Sequence, residues 1–181
     1  MVIGLTGPKL GGKGTTSAIL QAELGAKAYT MSDILADICT RLHLEKSREH
    51  LIAVATGLRK TLGNDILAQV LKKDVLSAQD EIAVIDGIRM RSEIDLFKDI
   101  PGFTLVFIDA PLKMRYGRAT TRGEKVGETE LSFEEFTKEE EAPTETEVSS
   151  FRGQAAFVIE NTGTIKDLED EVHQMITKLN S

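Results

Sequence analysis

Along the chain, short runs of consecutive apolar residues alternate with longer stretches whose apolar positions recur at helical spacing, the pattern of a parallel sheet with crossover helices. The strand candidates are Val2 to Thr6, Ala26 to Thr30, Ile82 to Asp86, Thr104 to Asp109 and Ala156 to Glu160. Ile82-Ala83-Val84-Ile85 and Leu105-Val106-Phe107-Ile108 are apolar without alternation, which suits strands covered on both faces. The expected fold is therefore α/β, a five-stranded parallel sheet between two helical layers.

Between the second and third strand candidates, helical signals cover Ser32 to Leu44, Arg48 to Leu62 and Asn64 to Ser77, with Ser32 and Asn64 placed as N-caps. This is too long for one crossover. An insertion of that kind in an open α/β sheet sits beside the crevice at the carboxyl ends of the strands, so residues 32–79 are expected to form an acceptor-binding subdomain. From Gly123 to Ser150 glutamates dominate over Lys125 and Lys138, which reads as a mobile, solvated segment, either a charged helical surface or part of a closing lid. The expected division is a core of 1–31, 80–114 and 155–181, the insertion 32–79 and a lid region 115–154.

The 181 residues are 41% hydrophobic and 28% charged, ordinary globular composition, and their number fits one domain. A formal charge of -7 argues against general affinity for nucleic acid or anionic membrane, so any phosphate binding must come from local arrangement. Cys39 is the only cysteine, which excludes an internal disulfide and a Cys-based zinc site and suits a cytoplasmic setting. The start, Met1 to Thr6, has neither a basic n-region nor a long apolar h-region and reads as structural. His43, His50 and His173 show no metal-ligand spacing, and no Ser-His-acid arrangement supports a hydrolase.

The most specific chemical signal is Gly7-Pro8-Lys9-Leu10-Gly11-Gly12-Lys13-Gly14-Thr15, directly after a strand candidate and before a helical run. Successive backbone N–H groups can converge on phosphate oxygens only where the chain turns tightly, and the glycines permit that turn. Lys13 would place its charge on the β and γ oxygens, with the N-terminal end of the next helix behind it. Gly7, Gly11, Gly12, Lys13, Gly14, Thr15 and Thr16 are thus the expected ATP contacts. The hydroxyl that ordinarily follows the lysine and ligates magnesium is replaced by Gly14, with Thr15 one place later.

Downstream, Asp86 ends the third strand candidate in Ile85-Asp86-Gly87-Ile88-Arg89, where it could orient hydrated Mg2+, and Arg89 could grip an acceptor phosphate with its planar fork. Arg115, Arg118 and Arg122 share one face of a helix beginning near Pro111 and could meet phosphates from a lid, Arg118 and Arg122 as catalytic groups, with Arg152 joining from beyond the acidic segment. Arg59 lies in the insertion as a further substrate contact. Alternatively the arginines form a solvated basic face, Asp86 bonds its own turn, and Asp33 starts a helix beside Ser32.

With the Gly-Lys-Gly-Thr loop, Asp86-Gly87-Ile88-Arg89, the arginine stripe and Glu160-Asn161-Thr162-Gly163-Thr164 in this order, the chain resembles the P-loop nucleoside monophosphate kinase superfamily, closest to dephospho-CoA-kinase-like and adenylate-kinase-like enzymes. The resemblance implies an ATP and Mg2+ donor site, a short lid, and metal held through water with Thr15, Asp33 and Asp86 nearby. It also implies that the loop of Asn161 and Gly163 borders the donor adenine. Asp33 stands near where adenylate kinases carry Thr-Gly-Asp-Met-Leu, but their AMP-phosphate arginine is Ala36 here. The expected activity is phosphoryl transfer from ATP to a small acceptor, a nucleoside or deoxynucleoside monophosphate. Dephospho-CoA or another small molecule is the alternative acceptor, and an ATP-dependent switch or assembly factor the alternative of another class.

Overall fold

The computed structural model describes residues 1–122 and 132–179. Five parallel strands form one sheet in the order β2-β3-β1-β4-β5: β1 Val2–Thr6, β2 Lys27–Thr30, β3 Ala83–Ile88, β4 Phe103–Asp109 and β5 Phe157–Glu160. The helices among the described residues are α1 Lys13–Leu24, α2 Met31–Arg41, α3 Arg48–Leu62, α4 Ile66–Ala78, α5 Arg91–Phe97, α6 Leu112–Arg122, α7 Phe133–Glu140, α8 Pro143–Ser150 and α9 Ile165–Leu179. All five expected strands are present, within two residues of their expected bounds.

The apolar runs divide between the two faces with a period of two. Ile3, Leu5, Val84, Val106 and Ile108 pack with Leu20 of α1 and with Leu168, Val172 and Met175 of α9. Val2, Ala83, Ile85, Leu105 and Phe107 point the other way, onto Leu71 and Val75 of α4, Ile94 and Phe97 of α5, and Val148 of α8. A smaller cluster of Leu35, Ala55 and Leu67 binds α2, α3 and α4 together in the region expected to be inserted.

Two expected caps are corrected. α2 begins earlier than expected: Thr30, not Ser32, caps it, accepting from Asp33 N–H at 3.1 Å while the Asp33 carboxylate accepts from Thr30 N–H and Oγ1 at 3.2 and 2.8 Å. α4 begins after Asp65, not Asn64, and Asp65 makes no side-chain cap bond. Thr30 also ends a strand, so one residue closes β2 and opens α2. α3 keeps its expected bounds, capped by Ser47 and ended by Gly63.

The order of strands puts β1 between β3 and β4: the connection leaving β1 runs toward the β2 edge and the one leaving β4 toward β5, so connections from these two neighbouring strands diverge. The loop leaving β1 therefore opens at the crevice where α/β sheets bind ligands. Beside it, the β1–β3 register slips between Leu5 and Thr6: Leu5 pairs with Asp86 but Thr6 with Ile88, leaving Gly87 as an extra residue. Such bulges bend a strand and redirect its side chains, here those of Asp86 and Arg89 at the mouth of the crevice.

Candidate functional site

A cleft of about 780 Å³ opens at the carboxyl ends of β1 and β3. Its closed end is the loop of Lys9, Leu10, Gly12 and Lys13 with Gly14 and Thr15 of α1; its walls are Thr30, Met31, Ser32 and Leu35 of the β2–α2 junction and Asp86, Gly87, Arg89, Met90 and Glu93 after β3. Ala55, Arg59 and Leu67 from α3 and α4 also line it, joined by Glu147 from α8.

The loop's shape is imposed by its surroundings. Gly7 has φ 135° and a side chain there would put its Cβ 2.1 Å from the Ile108 carbonyl oxygen; Gly12 has φ 116° and a Cβ would lie 2.2 Å from Asn161 Nδ2. Leu10 holds φ 60° without being glycine, a strained conformation that persists only where neighbours fix it. Gly12 caps α1 without any side-chain bond, and the first helical bond runs from Thr16 N–H to the Gly12 carbonyl. The N–H groups of the first turn, which lack helical partners, are thus available to an anion.

Lys13 is 9% exposed, and its ammonium donates to the carbonyls of Gly7 and Pro8 at 2.7 and 2.8 Å. Burial, reinforced by Arg89, pushes it down to about 8. Asp86 is half-buried, and burial raises its carboxyl above the usual range against the opposing pull of Lys13 and Arg89. Thr15 lines the cleft; Thr16 is fully buried, its hydroxyl unpartnered and away from the cleft wall. No group of three His, Cys, Asp or Glu converges on a metal position among the described residues. One half-buried carboxylate and one hydroxyl nonetheless suit magnesium, which keeps several waters and takes few protein ligands beside phosphate oxygens.

The remaining expected contacts fall into three groups. Arg59 and Arg89 line the cleft; Arg59 Nε is buried with no partner, and Arg89 pairs with Glu145 at 3.0 Å. Glu93, 1% exposed, accepts from the N–H groups of Arg89 and Met90 at 2.8 and 3.1 Å, which fixes the backbone from which the Arg89 side chain projects. Burial pushes its carboxyl up, and those two bonds act against that rise.

A second group lies behind the loop. Arg115, 6% exposed, donates to the carbonyls of Ala110 and Lys9 and pairs with Glu140, while Arg118 donates to the carbonyls of Leu10 and Gly11 and to Asn161. Neither arginine lines the cleft. Asn161 is 6% exposed, with Nδ2 donating to the Gly11 carbonyl at 2.8 Å. It also borders a smaller hollow of about 340 Å³ with Gly163, beside the carboxylates of Glu160, Asp167, Asp170 and Glu171. The loop after β5 also starts a helix: Asp167 accepts from Thr164 N–H and Oγ1, both at 2.7 Å, at the head of α9.

The third group is not brought to the cleft. The Asp33 carboxylate is occupied in the α2 cap, and Arg152 spans the ends of β4 and β5, pairing with Asp109 at 2.8 Å and with Glu160. The side chain of Arg122 lies outside the described residues.

Over residues 132–150 the acidic segment is held against the rest of the protein, contrary to expectation. It is not simply solvated: Glu139 and Glu140 pair with Lys9, Glu140 also with Arg115, Glu145 with Arg89, and Glu147 accepts from Arg91 N–H. Phe136, 1% exposed, lies under the Lys9 ammonium at 4.3 Å and against Tyr116. These glutamates and Glu93 are the site residues that sequence reading missed. For Glu93 a local signal existed, an acid three residues after the helix boundary.

A family model described as AAA domain matches residues 6–135. A UPF0200/UPF0201 protein of Archaeoglobus fulgidus is 31% identical over 98% of this chain, which spans 55% of that relative's length. A UPF0200 protein of Sulfurisphaera tokodaii is 28% identical over 98% of this chain and 97% of its own. Among solved structures, shikimate kinase from Bacteroides thetaiotaomicron superposes with a TM-score of 0.63 at 13% identity, covering 100% of this chain and 99% of that one. That likeness is one of fold, the α/β P-loop kinase architecture.

Proposed function

The chain belongs to the AAA domain family, and from that premise we propose that it is an ATP-dependent phosphotransferase whose acceptor is a small molecule carrying a phosphate, a nucleoside or deoxynucleoside monophosphate. The observation that carries the reading is the lining of one cleft by three cations, Lys13 of the glycine loop together with Arg59 and Arg89. A neutral acceptor would leave Arg59 without an anion to recognise and would not compete with Glu145 for Arg89. A phosphate between Arg59 and Arg89 would give Arg59 Nε the partner it lacks.

In this reading the loop N–H groups hold the triphosphate of ATP and the Lys13 ammonium transfers from the Gly7 and Pro8 carbonyls to the β and γ oxygens. A magnesium ion accompanying ATP would supply further positive charge, and Asp86 and Thr15 would be the chain's oxygen ligands for it, directly or through water. An acceptor oxygen attacks the γ-phosphorus in line, the bond to the β–γ bridging oxygen breaks, and ADP leaves. The chain supplies position and charge and no covalent intermediate. Met31, Leu35, Ala55 and Leu67 form the apolar part of the wall against which a base or similar group could lie.

The test is ADP release measured over a panel of nucleoside monophosphates, deoxynucleoside monophosphates, dephospho-CoA and shikimate. Stimulation by one of the phosphate-bearing classes supports the assignment and identifies the acceptor. Turnover stimulated only by shikimate, or by no acceptor at all, overturns it, the latter in favour of an ATP-driven switch.

A further inference from the structure

We propose that Arg115, Arg118 and Asn161 are positioning residues that hold the glycine loop open for polyphosphate by engaging its carbonyls from behind. The proposal rests on the ATP-site reading above but assigns these residues a different role from phosphate or adenine contact. In a loop whose N–H groups converge on an anion, the carbonyls must turn outward, and each then needs a donor in the protein. Here every carbonyl from Gly7 to Gly12 has one. Gly7 and Pro8 accept from Lys13, Lys9 from Arg115 at 3.3 Å, Leu10 from Arg118 at 3.0 Å, and Gly11 from both Arg118 and Asn161 at 3.3 and 2.8 Å. Gly12 accepts from Thr16 N–H within α1.

The three successive carbonyls of Lys9, Leu10 and Gly11 thus depend on side chains from α6 and the β5–α9 loop. Those side chains also hold one another: Arg118 donates to both the Asn161 carbonyl and Oδ1 at 3.3 and 3.0 Å, and Asn161 N–H is tied to the Asp109 carbonyl at 2.7 Å. The clamp accounts for the strained φ of Leu10, whose carbonyl Arg118 takes, and for the absence of room for a Cβ at Gly12, where Asn161 Nδ2 stands. A planar guanidinium can serve these four acceptor atoms at once; an ammonium at the end of a lysine, with three donors at one point, cannot reproduce that fork.

The experiment uses the full chain with Arg118→Lys, Arg118→Ala and Asn161→Ser. It reads amide hydrogen exchange of residues 8–14 without ligand, melting temperature, and the affinities of ATP, ADP and inorganic tripolyphosphate. The expected result is about tenfold faster exchange confined to the loop and about tenfold weaker binding of all three ligands. Arg118→Lys should fail to rescue, and β1 and β4 amides should be unaffected. Unchanged loop exchange overturns the proposal. So does a loss restricted to ATP and tripolyphosphate, the sign of direct γ-phosphate contact by Arg118, or a loss at Asn161 restricted to adenosine ligands, the sign of an adenine contact. Because Asn161→Ser removes the clamp from the other side, the proposal is still tested if an Arg118 variant does not fold. Failure of the native chain to bind ATP or tripolyphosphate would instead defeat the functional reading, while the exchange measurement would still judge the clamp.

Discussion

The guanidinium of Arg89 lies 3.0 Å from the Glu145 carboxylate, so an arginine facing the cleft already carries an anion from the protein itself. Glu145 is 13% exposed and its second oxygen is buried without a partner, whereas Arg89 is 40% exposed, open to a ligand from the cleft side. An incoming acceptor phosphate must share or displace that carboxylate. Glu145→Gln keeps an oxygen for Arg89 and removes the competing charge. Acceptor monophosphate should therefore bind about three- to tenfold more tightly, an effect of ~1 kcal/mol as for partly exposed ion pairs. Calorimetric titration of the panel's active acceptor checks this; weaker binding would make Glu145 a brace for Arg89 and not its competitor.

The lowered pKa of Lys13 gives the ATP site a pH dependence of defined sign. Its ammonium titrates near 8 in the free protein because it is buried, and a bound triphosphate favours the charged form, so binding above that pH takes up a proton. The affinity for ATP should change little through this group below pH 7.5. It should then weaken as pH rises past about 8, approaching tenfold per pH unit. Fold stability should respond in the opposite sense: between about 8 and the ordinary value of 10.5 the unfolded chain holds the proton that the folded chain has lost, so this group makes the free protein more stable as pH rises. Titration calorimetry and thermal melts from pH 7 to 10 read the two trends together. In Lys13→Ala both should disappear, and turnover should fall by at least ~10²–10³.

Much of the fold was legible because its central strands β1, β3 and β4 are largely buried on both faces, which writes a nearly unbroken apolar run into the sequence. The loop was legible because its chemistry is local, one glycine turn between a strand and a helix. What lay outside reach was direction. Helical spacing put Arg115 and Arg118 on one face of α6 but could not say that this face turns to the back of the loop. The glutamates of α7 and α8 formed a charge pattern that looked solvated, since nothing local reveals that Glu140 and Glu145 meet arginines from α6 and the end of β3. Asp33 shows the reverse case: a strand-end threonine three residues before it uses the carboxylate for a helix cap.

That cap separates structural from metal-binding use of Asp33. Thr30→Ala and Asp33→Ala each remove half of a reciprocal pair and should cost ~1 kcal/mol of stability, with Ser32→Ala near neutral. Magnesium dependence of turnover should be unchanged by Asp33→Asn and weakened by Asp86→Asn. A shifted magnesium requirement in the Asp33 variant would return that residue to the metal site.

Two glycines of the same loop should respond oppositely to alanine, because different neighbours demand their smallness. At Gly7 the φ of 135° and the Ile108 carbonyl oxygen, 2.1 Å from a built Cβ, are properties of the protein, and the obstacle is backbone that cannot swing aside. Gly7→Ala should lower stability by ~2–3 kcal/mol with or without ligand. At Gly14, in the first turn of α1, a Cβ meets nothing within 4 Å and the backbone is helical. Helix propensity alone should make Gly14→Ala neutral or up to ~1 kcal/mol more stable. If bare backbone is needed there for phosphate to approach the helix end, the same substitution should weaken ATP binding at least tenfold. Melting temperature and ATP affinity measured on both variants separate the cases; unimpaired ATP binding by a stable Gly14→Ala protein would place the triphosphate away from the first turn of α1.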